Sequence, residues 1–155
     1  MTSFTIDEIK HLLKQSSSAS LASLQASSNV AYASLVNVVV DEKGPIVLIS
    51  DLAWHTKNLR AQPNGSLLFV EQSACDNGSL VDPLEGKRAT VLGKFIQTTE
   101  PAARDFYLDI HRNAQNFESF TDFSYWRLVP HTVHAIAGFG AITTINADEI
   151  FDLVT

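Results

Sequence analysis

Cysteine is nearly absent from this chain: Cys75 is the single one among 155 residues. That excludes an internal disulfide and a four-cysteine zinc site, and it suits a reducing cytoplasm. Charge is scarce as well, at 18% of residues, and its balance is acidic, with a formal net charge of -6. A duplex nucleic-acid binder needs a basic face, so no nucleic-acid partner is expected. Long apolar runs are missing: none approaches the ~18–20 residues that span a bilayer. The N-terminal residues 1–15 interleave charge with apolar residues, unlike a signal peptide. The expectation is a soluble, cytoplasmic protein without a membrane partner. Also missing are a G-x-S-x-G elbow, a P-loop and a complete G-x-G-x-x-G fingerprint, for which Gly138-Phe139-Gly140 is only a fragment.

What is present is apolar residue. Hydrophobic types make up 45%, which rules out disorder as the main state. A chain of this length predicts one domain over 1–155. Low charge with nine phenylalanines leaves more apolar surface than a small domain hides by itself, which predicts a homodimer.

The first segment predicts a helix, with Thr5-x-x-Glu8 as capping box and Ile6, Ile9, Leu12 and Leu13 on one face. Residues 20–26, 30–41 and 45–50 read as three strands, the last two joined by the turn Asp41-Glu42-Lys43-Gly44. A short helix follows, with Asp51 as cap, Leu52 and Leu59 facing a core, and Pro63 as stop. Strands are predicted at 66–72 and 87–99, with a bulge at Gly93. The loop 73–86 between them is long enough to be functional. A helix over 100–111 places Ala103, Phe106, Tyr107 and Ile110 on one stripe. Strand material interrupted at Pro130 follows, then a short helix capped by Asn146 and Glu149. Antiparallel hairpins with few helices point to a small barrel.

The residues with chemistry gather after the strand 45–50. Ser50, then His55, Thr56, Lys57 and Asn58, crowd the first turns of a helix, where unpaired amides and polar side chains suit a phosphate. The plainer reading is an ordinary first turn capped by Asp51. His131 and His134 have no acidic or cysteine neighbour in a zinc pattern, so no metal site is expected. Cys75 beside Asp76 is not an activated thiol. Arg127, flanked by apolar residues, reads as the partner of Asp122, Asp82 or Glu118; Arg88 reads equally as an ion-pair member or an anion contact.

In order and spacing, several segments resemble the pyridoxamine 5'-phosphate oxidase-related, FMN-binding split-barrel family, and within it the branch of bacterial haem-utilisation proteins. They are Ala33-Ser34-Leu35-Val36, Leu48-Ile49-Ser50-Asp51-Leu52-Ala53, His55-Thr56-x-Asn58-Leu59, Pro63 with Ser66-Leu67-Leu68, and Arg88-Ala89-Thr90-Val91-Leu92-Gly93. Tyr107-Leu108-x-x-His111, Asp122-Phe123-x-x-Trp126-Arg127-Leu128-x-Pro130 and Gly138-Phe139-Gly140 continue it to about residue 142. The resemblance implies a mainly β fold with short helices, a six-stranded antiparallel Greek-key split barrel, paired as a homodimer with FMN at the interface. It implies that Ala33, Ser34, Leu35 and Val36 run along the isoalloxazine ring. Ile49, Ser50, His55, Thr56 and Asn58 would hold ribityl and phosphate, and Arg88 would contact the flavin.

The activity so implied is an FMN-dependent oxidoreductase acting on a small-molecule substrate. The alternatives are a haem-binding or haem-degrading barrel, with haem as cofactor, and a non-catalytic flavin-binding module. This chain departs from the oxidases that act on pyridoxamine phosphate. It has Tyr32-Ala33-Ser34-Leu35 in place of their arginine-rich strand, and His55 and Thr56 in place of an arginine and lysine pair. Haem-degrading members carry a ligand histidine beyond the barrel, a place that neither His131 nor His134 occupies.

Overall fold

A computed structural model describes residues 4–72 and 82–153. Helix α1 (Ile6–Gln15) starts at the expected box, where Thr5 Oγ1 accepts from Glu8 N and Glu8 Oε2 accepts from Thr5 N. Its apolar face buries Ile9, Leu12 and Leu13. Burying each such side chain stabilises by roughly 1.5–3 kcal/mol. Strands β1 (Ser18–Leu24), β2 (Ala31–Asn37), β3 (Val39–Asp41) and β4 (Gly44–Ser50) follow, then α2 (Trp54–Ala61) and β5 (Asn64–Val70). After the gap come β6 (Lys87–Thr98), α3 (Pro101–Ile110), β7 (Phe123–Ala137) and β8 (Ala141–Asn146). The loop expected at 73–86 lies largely outside the described residues, and so does Cys75.

All strands pair antiparallel in one curled sheet of order β2-β1-β5-β6-β7-β4-β3, with β8 on β7. This is the expected mainly β split barrel. The run 30–41 is not one straight strand, however. It bends at Val38, so that β2 pairs with β1 at one end of the sheet while β3 pairs with β4 at the other. Val38 is fully buried. Its N–H donates to Ser17 O at 3.0 Å and its carbonyl accepts from His111 Nε2 at 2.9 Å. With β2 and β3 counted as one bent strand, the expected six are present, and β8 is an addition. The β-branched run Ile142-Thr143-Thr144-Ile145 carried that strand, and the turn Gly138-Phe139-Gly140 hid it.

Three further expectations need correction. Pro130 does not interrupt β7, which runs unbroken for 15 residues. The register shifts instead, between Leu92 and Gly93, so a bulge absorbs the proline's missing donor. Gly93 is required there, because a Cβ would lie 2.1 Å from Val129 O. On α3, Ala103 and Tyr107 are buried as expected, but Leu108 replaces Phe106 and Ile110, which are 37% and 48% exposed. The C-terminal helix is a single 3-10 turn, Ala147–Glu149, with the expected capping box.

The barrel interior is filled by residues of β1, β4, β5, β6 and β7, including Leu21, Val47, Leu67, Val91 and Leu128, with α1 packed beside them. A second cluster lies between α3 and the other face of β3 and β4, with Val39, Ile46, Leu48, Ala103 and Tyr107. Strand β4 is thus buried on both faces, which is why 45–50 is apolar without alternation. Arg127 is paired, but with Asp41 rather than Asp122, Asp82 or Glu118, at 2.6 and 2.9 Å. Burial raises the Asp41 carboxyl, and the hydrogen bonds and charge of Arg127 with the amides of Lys43 and Gly44 outweigh it, so its pKa is lowered overall.

Candidate functional site

Beyond Val38, β2 turns away from β4, and the gap between them is a groove of about 300 Å³. One lip is Leu35, Val36 and Asn37 on β2; the other is Leu48, Ile49 and Ser50 on β4. Ala53 and His55, at the start of α2, stand at one end, and Tyr107, Phe117 and Phe123 form an aromatic wall. None of these lining residues is an acid, a lysine or an arginine. A second hollow of about 330 Å³ adjoins it, sharing Asn37, Tyr107 and Phe117 and extending to His111 and Arg112.

Helix α2 does not begin as expected. Its N-cap is Ala53, with no side-chain cap. Asp51 pairs with Arg60 at 2.6 Å, and Leu52 is 76% exposed. Ser50 makes the turn instead: its Oγ accepts from Leu52 N at 3.1 Å and donates to Asp122 Oδ2 at 2.9 Å. The amides of Trp54, His55 and Thr56 form no hydrogen bond among the described residues, as the first turn of a helix leaves them.

The edge strand and the helix are locked side by side. Tyr32 and Ser34 of β2 face Trp54 and His55 of α2, with ring centroids 5.7 Å apart in the first pair and Ser34 Oγ 3.1 Å from His55 Nδ1 in the second. Burial holds the His55 imidazole below its ordinary pKa, which favours the neutral ring. Burial also pushes the Tyr107 phenol up to about 12, against the lowering effect of a hydrogen bond with the Leu48 backbone. Tyr107 is therefore protonated at neutral pH.

The expected cofactor residues divide into four groups. Leu35, Val36, Ile49, Ser50 and His55 line the groove, and Ser34 touches it through His55. Ala33 shares the face of β2 that carries Leu35 but lies outside the groove lining. Thr56 and Asn58 are buried at 0% and 4% exposure and stand outside the groove lining, and Thr56 Oγ1 has no hydrogen-bond partner among the described residues. Asn58 is committed to structure: its Nδ2 donates to Ser23 Oγ and its Oδ1 accepts from Ala26 N. Arg88 lies away from the groove on the outer sheet face, its Nη1 donating to the carbonyls of Leu84, Gly86 and Gly138. The analysis of the sequence did not assign Asn37, Tyr107, Phe117 and Phe123 to the site. The density of aromatic residues from 117 to 126 was the available signal.

The four described histidines besides His11 are engaged singly, and no group of three potential metal ligands occurs among the described residues. No described helix is long and apolar enough to cross a membrane.

Comparison with known proteins agrees with this geometry. The chain is 29% identical to the Heme oxygenase HutZ of Vibrio cholerae, over 95% of this chain and 84% of that one. Its fold matches a heme binding protein from Mycobacterium smegmatis with a TM-score of 0.82 and 25% identity, covering 96% of this chain and 60% of the longer one. It also matches a putative pyridoxamine 5'-phosphate oxidase from Listeria innocua, with a TM-score of 0.66 and 15% identity over 84% of this chain and 97% of that one, a likeness of fold alone. The pattern of the CREG, beta-barrel family matches residues 8–152. Split sheet and matched span together make this chain a member of the CREG, beta-barrel family.

Proposed function

We propose that this protein binds haem in the groove between β2 and β4 and acts in haem utilisation. The observation that carries the reading is the lining itself. Aliphatic and aromatic side chains form both walls, no lining residue bears a fixed charge, and one neutral imidazole stands at the end. An apolar slot with few polar groups suits a flat, hydrophobic macrocycle. Arg112, at the rim of the adjoining hollow, suits its carboxylates. Similarity to HutZ over nearly the whole chain supports the same ligand class. Bound haem would supply an iron centre for dioxygen chemistry; the protein would supply the slot that holds it.

FMN is the second reading, favoured by one feature: the unbonded amides of Trp54, His55 and Thr56 at the groove's end suit a phosphate. Against it, Arg60 is held by Asp51 and lies over the Trp126 ring, 5.8 Å from its centroid, which leaves Lys57 as the cation of α2 outside any ion pair among the described residues. A dianionic phosphate would thus be met without a free arginine from α2.

The outer face of the sheet suits a second copy of this chain. Register places Leu35, Ser20, Leu68, Thr90 and His134 in one row across it, and Ala33, Ala22, Ser66, Leu92 and Thr132 in the next. Neither row contains an acid, a lysine or an arginine, and Leu35 is 75% exposed. Arg88, on this same face, would meet a ligand only across such a contact.

The deciding experiment titrates apo-protein with haemin and, separately, with FMN. A saturable Soret band with one haemin per chain supports the reading. FMN binding in the absence of any Soret band overturns it in favour of the flavin.

A further inference from the structure

The groove offers iron few donors, and most are committed. Ser50 Oγ donates to Asp122 Oδ2 and accepts from Leu52 N. Tyr107 is a buried, protonated phenol, not a phenolate. His111 has one ring nitrogen held by the carbonyl of Val38, but it lines only the adjoining hollow and not the groove.

His55 is the one imidazole in the lining of the groove itself. Its Nδ1 lies 3.1 Å from Ser34 Oγ. In the tautomer that donates from Nδ1–H to the hydroxyl, Nε2 keeps its lone pair. Nε2 makes no hydrogen bond among the described residues. An imidazole whose second nitrogen is held by a hydrogen bond is the usual form of a metal-bound histidine, because that bond fixes tautomer and ring angle. Both residues sit on regular elements, Ser34 on β2 and His55 in the first turn of α2. The tilted contact of the Tyr32 and Trp54 rings beside them joins the same two elements.

We propose that His55 is the axial ligand of haem iron in this protein, bonding through Nε2, and that Ser34 is its positioning residue; the assignment rests on the haem reading above.

The test titrates the full chain with haemin, follows the Soret band, and records the iron–histidine stretch of the ferrous complex by resonance Raman. Far-UV circular dichroism checks that each variant is folded. Wild type is expected to show the stretch. His55→Ala and His55→Gln are expected to lose it, and free imidazole to restore a nitrogen-ligated spectrum in His55→Ala. Ser34→Ala is expected to keep the ligand but shift the stretch and weaken haemin by about tenfold, with Ser34→Thr restoring both. A stretch that survives in folded His55→Ala and His55→Gln overturns the ligand assignment and leaves haem binding intact. An unshifted stretch in Ser34→Ala overturns the positioning role alone. A wild-type chain that forms no Soret band overturns the haem reading and this assignment together.

Discussion

Asp41 and Arg127 stand 86 residues apart in sequence, yet they form a two-pronged ion pair at 2.6 and 2.9 Å that ties the β3–β4 turn to β7. Arg127 is 5% exposed and also donates to Gly44 O at 3.0 Å. Removing one member of such a pair strands a buried charge, which costs about 3 kcal/mol or more. Asp41→Asn is expected to lose that much in urea unfolding. The lowered Asp41 pKa also sets a pH dependence. Its contribution is complete above the ordinary value of 3.8 and is lost as pH falls through the lower value of the folded state. Unfolding midpoints measured across the acid range should fall less steeply in Asp41→Asn than in wild type.

Gly93→Ala is expected to destabilise the fold by about 2 kcal/mol or more, because the added carbon meets Val129 O at 2.1 Å and two backbones must separate. Thermal unfolding by circular dichroism reads the loss. Alanine at Gly86 finds Glu71 Oε2 at 3.2 Å, the end of a flexible side chain, and serves as the control.

Asn58→Ala separates structure from ligand binding. It removes the bonds to Ser23 Oγ and Ala26 N, at roughly 1–2 kcal/mol. Haemin affinity measured on the folded variant should match that of wild type, since Asn58 stands outside the groove lining.

Phe117→Ala opens the aromatic wall shared by the two hollows. Haemin should bind about tenfold more weakly, equivalent to about 1.4 kcal/mol. The unfolding midpoint should move much less than in Asp41→Asn, because Phe117 packs at the margin of its cluster.

Leu68→Asp places a charge in the middle of the outer sheet face, where Leu68 is 38% exposed and pairs with Ser20 and Thr90. Light scattering should report a dimer for wild type and a monomer for the variant, with circular dichroism unchanged. A wild-type monomer at working concentration would refute the dimer.

The parts of the fold written in local signals were readable in advance. The Thr5–Glu8 box, the Asp41–Gly44 turn and the glycine at the bulge each depend on a few neighbouring residues, and each stands where expected. What escaped depends on distant partners. Nothing between residues 30 and 41 announces a bend at Val38, because the cause is pairing with β1 on one side and β4 on the other. The partner of Arg127 was unreadable for the same reason. In the site, the strand end and helix start were legible as a cluster, but a helix first turn does not reveal which side chains face out. His55 lines the groove, whereas Thr56 and Asn58 are buried outside its lining. Expecting Asp51 as cap failed because Arg60, two turns along, takes its carboxylate.

The bend at Val38 makes the two lips of the groove parts of one short length of polypeptide, riveted through its amide to the start of β1 and through its carbonyl to the end of α3. The slot therefore works as a calliper with a fixed jaw. A guest thicker than the present gap would have to pull out both rivets, so the bend limits how far the lips can part.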